Sequence, residues 1–279
     1  MDYLEIEKSI VKKFRKTIWC RFVRAINEFN LINENDKIMV CISGGKDSML
    51  LAKCFEELHQ HSKFVFDVCY VVMNPGYQKE NLDLLKENLK KLNIDAEIFD
   101  SDIFNVVSKI SKENPCYMCA RMRRGVLYNY AKEKGCNKIA LGHHFDDVIE
   151  TILLNVLYAG EYKTMMPKLH SENFSDMELI RPLYYVHEAD IKNWVEYCGL
   201  KFLNCACSVT DGSIEKDSKR KEIKKLINDL RVINKNVDIN ILRSSENVNI
   251  DAILGYKKNS QKISFLDTYK ENVKLTKND

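Results

Sequence analysis

No apolar run in this 279-residue chain approaches the roughly 18 residues needed to cross a bilayer. The first thirty residues are charged and aromatic where a secretory leader would be apolar. These absences predict a cytoplasmic protein without membrane contact. Internal repeats and low-complexity segments are also missing, which sets aside solenoids and simple linkers. Excess charge is small: 43 Lys and Arg against 40 Asp and Glu leave +3, too little to imply a polyanion partner unless the cations cluster. With 45% of its residues hydrophobic, the chain can bury a sizeable core as one main domain with extensions.

Cysteine, by contrast, is plentiful, with ten residues. The cytosol keeps thiols reduced, which argues against a disulfide framework. Cys41, Cys54 and Cys69 lie within or beside apolar segments and read as small core residues. Cys20, Cys136 and Cys198 have no partner at ligand spacing and stay unassigned. Cys116, Cys119, Cys205 and Cys207 remain as candidates for chemistry.

The stretch Lys37-Ile-Met-Val-Cys-Ile-Ser-Gly-Gly-Lys-Asp-Ser48 runs from an apolar strand through two glycines into an amphipathic helix. Gly44 and Gly45 let the backbone turn its N–H groups onto an anion, and the helix adds its positive end. Lys46 supplies a point charge, and Ser43 and Ser48 supply hydroxyl donors. Asp47 can cap the helix or, through water, help hold Mg2+. The spacing differs from that of the commoner nucleotide loop, in which four residues separate the first glycine from Gly-Lys-Ser/Thr.

Downstream, helix Asp47–His61, strand Phe64–Met73, helix Gln78–Leu92 and strand Ile94–Phe99 alternate, the order of a parallel sheet flanked by helices. Ligands of such sheets sit beyond the carboxyl ends of the strands, which puts adenine near Met73 and Gly76. Upstream, Ile10, Phe14, Ile18, Phe22 and Ile26 mark one basic helix over residues 6–30, either a solvated packed helix or an RNA contact. Cys116 and Cys119 are three apart after Pro115, with Arg121, Arg123 and Arg124 following. That pair suits a redox, zinc or iron–sulfur site alike. A fourth strand at 138–142 leads into Gly142-His-His-Phe-Asp-Asp147, where Asp146 and Asp147 open a helix. They can cap it or hold magnesium against a triphosphate. Residues 162–180 read as loop and Leu179–Leu183 as a fifth strand or its exit, with Pro182 marking a sheet edge or a strand end. Arg181 is equally a phosphate contact or a surface ion pair. After helix Glu188–Cys198 come Cys205 and Cys207, which with the first pair give four thiolates for zinc or three for an iron–sulfur cluster. Ser218–Leu230 is a lysine-rich amphipathic helix, and the tail beyond Lys258 has too little apolar content to predict structure. These features divide the chain into a basic helix (1–35), a central domain (36–210) and a C-terminal extension (211–279).

Ser43-Gly-Gly-Lys-Asp-Ser48 resembles the loop of the ATP pyrophosphatase (PP-loop) superfamily. Together with Cys116/Cys119, Gly142–Asp147 and Cys205/Cys207, it makes residues 10–210 similar to the TtcA-type tRNA 2-thiocytidine synthetases. Local phrases such as Arg123-Arg-Gly-Val-Leu-Tyr128 and Met166-Pro-Lys-Leu169 add to the likeness. The resemblance implies an α/β PP-loop domain that adenylates the C2 carbonyl of a tRNA cytidine and exchanges its oxygen for sulfur. ATP and Mg2+ would be bound by Ser43, Gly44, Gly45, Lys46, Asp47, Ser48, Met73, Gly142 and His143. Lys46, Asp47, Asp146 and Asp147 would be catalytic. It further implies a 4Fe-4S cluster on Cys116, Cys119 and one of Cys205 and Cys207, the preceding apolar stretch favouring Cys205. Implied partners are tRNA, a second copy of the chain, and a cysteine desulfurase or inorganic sulfide as sulfur donor. The later cysteines are separated by one residue where familiar members have two. Thiolation of another base, amine attack as in lysidine formation, and a zinc-stabilised RNA-binding protein are the competing readings.

Overall fold

The computed structural model describes residues 1–101, 103, 115–174, 176–202, 214–267 and 269, without the side chains of 115–120 and 214–218. Its centre is a six-stranded sheet, β1 (Lys37–Ile42), β2 (Asp67–Asn74), β3 (Ala96–Asp100), β4 (Lys138–Ala140), β5 (Lys168–His170) and β6 (Glu178–Ile180). Strand order is β3-β2-β1-β4-β6-β5. All neighbours are parallel except β5, which runs antiparallel to β6. The expected parallel sheet is therefore present. The expectation of loop through 162–180 is corrected: β5 lies within it and takes the edge, so β6 is interior and Pro182 follows it. A three-residue strand carrying Lys168 and His170 has too little apolar alternation to be legible in sequence.

Helices α3 (Lys46–His61) and α4 (Lys79–Leu92) connect the first three strands, and α5 (Pro115–Glu133) leads to β4. They are followed by α6 (Phe145–Leu154), α7 (Glu188–Tyr197), α8 (Ile214–Ile233) and α9 (Val237–Glu246). The main core lies between the sheet and α3, α6 and α7, built on Ile38, Val40, Leu50, Phe55, Val148, Ile149 and the fully buried Trp194. A smaller core under α5 gathers Met39, Val71, Tyr128, Ala131 and Ile139. Cys41 and Cys54 are buried as expected, while Cys69 is half-buried, 3.5 Å from Cys136.

The N-terminal segment is not one helix. It is α1 (Tyr3–Val11) and α2 (Cys20–Glu28), joined by a π-helical turn at Arg15–Trp19. A strict spacing of four overshoots the 3.6-residue turn by about 40° each time, about 160° from Ile10 to Ile26. The wider π turn absorbs part of that drift, and all five apolar residues end up buried in the main core. The fully buried Lys53 ties α1 to α3 through Glu7 (2.5 Å) and Glu56, and donates to the Leu92 carbonyl. Several cations of this segment are engaged within the protein: Arg21 pairs with Asp190, Arg24 with Glu28, and Lys13 lies over the Tyr197 ring. The tail beyond Lys258, of little apolar content, begins with β8 (Gln261–Ser264), which forms a hairpin with β7 (Gly255–Lys258).

Strand order reverses between β1 and β4, whose outgoing chains leave on opposite sides and open a crevice at their carboxyl ends. Both candidate nucleotide-binding segments of the sequence, Ser43–Ser48 and Gly142–Asp147, emerge there.

Candidate active site

After β1 the chain turns through Gly44 at φ +84°, a conformation that favours glycine. It reaches Gly45, the N-cap of α3, which has no side-chain cap. The first N–H groups of α3 are thus offered to an external acceptor. Ser48 is buried and works inside the loop: its Oγ accepts from Ser43 N–H at 3.1 Å and donates to the Gly45 carbonyl at 2.9 Å. In this arrangement its hydrogen bonds serve the turn. Ser43 stays exposed. Tyr77, just past the Gly76 turn after β2, donates to the Ser43 carbonyl at 3.2 Å. Met73 is buried beneath this corner against Ile103, Tyr77 and Phe99.

From the β4 side, Gly142 approaches the start of α3 so closely that a Cβ would stand 3.0 Å from the Asp47 carbonyl carbon and the Ser48 nitrogen. His143 follows, its Nδ1 buried and unpartnered. Burial, aided by the neighbouring Arg181 guanidinium, depresses its pKa to about 4. Arg181 is no surface residue: it is 5% exposed, its Nε makes no hydrogen bond, and burial and then Arg124 lower its pKa to about 10.

Asp146 and Asp147 have different tasks. His144 is the N-cap of α6, and Asp147 accepts its backbone N–H at 3.1 Å. Asp146 turns away to α7, accepting the Glu188 N–H at 2.7 Å, and binds Arg231 of α8 at 2.8 Å. Asp147 faces the loop: His144 Nε2 lies 3.5 Å from Asp147 and 3.9 Å from Asp47. Asp47 Oδ1 is buried and makes no hydrogen bond, although Lys46 Nζ is 3.1 Å away. Hard oxygen donors of this kind suit Mg2+.

A closed ring of charge surrounds these groups. Lys46 meets Glu188 at 3.2 Å, Glu188 meets Lys224 at 3.6 Å, and Lys224 meets Glu150 at 3.6 Å. Arg220 then joins Glu150 at 2.8 Å to Asp147 at 2.9 Å, and His144 returns the ring to Asp47. Burial opposes ionisation of Glu188, but Lys46, with Lys192 and Lys224, outweighs it and holds the pKa near 2. For Asp147, His144 and Arg220 likewise outweigh burial and hold the carboxyl below its ordinary range. Glu150, Glu188, Arg220, Lys224 and Arg231 were not among the residues expected at this site. For all but Glu188 the signal was one of spacing: 220, 224 and 231 share a helix face, and 150 lies one turn along α6 from both 146 and 147.

The PP-loop domain family matches residues 16–227. The tRNA-cytidine(32) 2-sulfurtransferase of Syntrophotalea carbinolica is 36% identical over 242 residues, 86% of this chain and 88% of that protein. The Coxiella burnetii protein of the same name is 34% identical over 260 residues, 92% of this chain and 96% of that one. The chain belongs to the PP-loop family of tRNA-cytidine(32) 2-sulfurtransferases. The U34-tRNA thiolase NcsA of Methanococcus maripaludis, solved with its 4Fe-4S cluster, matches 81% of this chain and 76% of its own, with TM-score 0.64 and 20% identity. That match shows the fold. Of the cysteines, Cys116 and Cys119 lie in the first turns of α5 by backbone, their side chains outside the described set. Cys205 and Cys207 lie outside the described residues. Among the described residues, no helix is long and apolar enough to cross a membrane.

Proposed function

We propose that this protein is an ATP-dependent tRNA sulfurtransferase that adenylates the C2 carbonyl oxygen of a cytidine and replaces that oxygen with sulfur. The observation carrying this reading is the meeting of the α3 start at Asp47 and Ser48 with Gly142 and His144 across the β1/β4 crevice, in a chain whose relatives bear that activity in their names. In the first half-reaction the C2 oxygen bonds to the α-phosphorus, the bond from that phosphorus to the β-phosphate oxygen breaks, and pyrophosphate leaves. In the second, a hydrosulfide-level sulfur bonds to C2, gives up its proton, and the C2–O bond to AMP breaks.

The Gly44–Lys46 turn and the Lys46 ammonium hold the departing pyrophosphate, and the 73–76 corner receives adenine. Asp47, whose Oδ1 makes no hydrogen bond and lies 3.1 Å from the Lys46 ammonium, and Asp147 would hold Mg2+, which would neutralise phosphate charge when bound. Asp146 keeps α6, α7 and α8 in register. Cys116, Cys119 and one of Cys205 and Cys207 would hold a 4Fe-4S cluster, which supplies a binding place for the incoming sulfur. We assign adenylation to residues 36–210 and read the protein as a cytoplasmic homodimer, served by a cysteine desulfurase or inorganic sulfide, as its resemblance to this family implies.

The test is incubation of anaerobically purified protein with ATP, Mg2+, sulfide and unmodified tRNA, followed by mass spectrometry of the nucleosides. The expected result is 2-thiocytidine with AMP and pyrophosphate in equal amounts. In a parallel incubation with lysine in place of sulfide, AMP formation with an amine adduct, and no thiolation when sulfide is present, would instead assign amine attack.

A further inference from the structure

We propose that Arg220, supplied by α8, is a positioning residue of the nucleotide site: it is the counter-charge that lets Asp147 and Glu150 stand beside a triphosphate. The proposal rests on the ATP-using part of the function proposed above and not on the fate of the sulfur.

A site for a polyanion should not carry a surplus of carboxylates, since like charges at short range in a partly desolvated crevice repel strongly. The ring sets Asp47, Asp147, Glu150 and Glu188 against Lys46, Lys224 and Arg220, with Lys192 3.1 Å from Glu188, so the four carboxylates are balanced only while each of the four cations is present. Two of the carboxylates depend on Arg220. Its Nε is 2.8 Å from Glu150 and its Nη2 2.9 Å from Asp147, so the planar fork spans two side chains one helical turn apart. The Glu150 side chain is 3% exposed, and among the described residues its other cation, Lys224, is 3.6 Å away. The Arg220 side chain is 44% exposed, so this charge stands at the open side of the crevice. Fixing Asp147 Oδ1 also leaves Oδ2 on the His144 side, toward Asp47.

Without Arg220, the buried Glu150 would keep only Lys224 at 3.6 Å and the loop-facing Asp147 only His144 at 3.5 Å among the described residues, and both would stand under-compensated beside the phosphates. The defect would be one of charge, and charge can be restored from either side of the pair. That separates it from a structural role of α8, which a second substitution in the same pair would only worsen.

The experiment measures binding of α,β-methylene-ATP with Mg2+, and KM and kcat for AMP formation, on the full chain. Arg220→Gln should weaken binding and raise KM at least tenfold, with a smaller fall in kcat. Raising ionic strength should narrow the gap to the unaltered protein. Arg220→Lys should recover most of the loss, and so should Glu150→Gln introduced into the Arg220→Gln chain. Lys225→Gln, on the exposed side of the same helix, should change nothing. A double variant no better than Arg220→Gln, at a comparable melting temperature, overturns the proposal. Should Arg220→Gln fail to fold, the double variant compared with the unaltered protein decides alone: nucleotide affinity within about threefold supports the proposal, and a tenfold loss overturns it. Nucleotide binding without tRNA thiolation would sink the proposed function while leaving this comparison intact.

Discussion

Lys46 Nζ lies 3.2 Å from Glu188 Oε1, which ties the cation of the phosphate loop to the first turn of α7. Asp47 holds the same ammonium at 3.1 Å, and together, against the cost of burial, they raise its pKa. The charge is therefore secure at any working pH, and its removal should be felt in the leaving-group step. Lys46→Ala is expected to lower kcat for AMP formation by about 100-fold or more, with iron content unchanged. A fall of less than tenfold in pyrophosphate release would remove Lys46 from the reaction.

The two adjacent aspartates should separate in mutagenesis. Asp146→Ala removes the acceptor of the Glu188 N–H at the start of α7 and leaves Arg231 with Asp238 and the Asn228 amide, costing about 2 to 3 kcal/mol of stability. Asp147→Asn keeps the shape of the α6 start but loses charge facing the loop. Its expected signature is loss of AMP formation at nearly unchanged melting temperature. Equal effects of the two substitutions on both quantities would contradict the division drawn from their contacts.

His143 gives a pH dependence whose sign is determined. Its pKa falls from 6.5 in the unfolded chain to about 4 in the folded one, first through burial and then through Arg181. Between those values the unfolded chain binds the extra proton, so stability falls as pH drops from 6.5 toward 4, by up to about 1.4 kcal/mol per pH unit. Denaturant titrations across that window should show a shallower decline for His143→Asn. An identical slope in both proteins would mean that another group titrates.

Cys116→Ala and Cys119→Ala address the sulfur half separately from the adenylating half. Protein purified without oxygen should carry about four irons and four sulfides per chain, and either substitution should abolish them together with 2-thiocytidine formation. AMP formation on tRNA should survive, because the loop and the carboxylates belong to other elements. One zinc and no iron in the unaltered protein would move the sulfur chemistry to a different cysteine.

Much of this was legible in the chain because the physical periods are long enough to see. β1, α3, β2 and α4 declare themselves through four to eight apolar residues each, and a glycine pair between strand and helix has few other uses. The π turn at Arg15–Trp19 was hidden in plain sight, since the strict spacing of four from Ile10 to Ile26 already exceeds what an α-helix can keep on one face. β5 was illegible because Lys168 and His170 are polar and its pairing is with a strand that follows it. The partnership of α6 with α8 was missed for another reason: Arg220, Lys224 and Arg231 look like any lysine-rich helix until their spacing is set against Asp146, Asp147 and Glu150.

Gly142 offers the sharpest test that the crevice, and not the loop alone, makes the site. It ends the short β4 exit with its Cα pressed against the first turn of α3, where an added Cβ would lie 3.0 Å from Asp47 C and Ser48 N and 3.1 Å from Asp47 O. Those atoms are backbone and cannot step aside as a flexible side chain would. Gly142→Ala must therefore push the α3 start and the β4 exit apart by a few tenths of an ångström, a strain of about 1 to 3 kcal/mol. The displaced groups are the N–H donors meant for phosphate and the carboxylate of Asp47. The expected outcome is about a tenfold rise in KM for ATP with the sheet intact by circular dichroism and the cluster content unchanged. A fully active Gly142→Ala protein would show that the β4 exit only borders the nucleotide site, and the roles given to His143 and His144 would then have to be withdrawn from it.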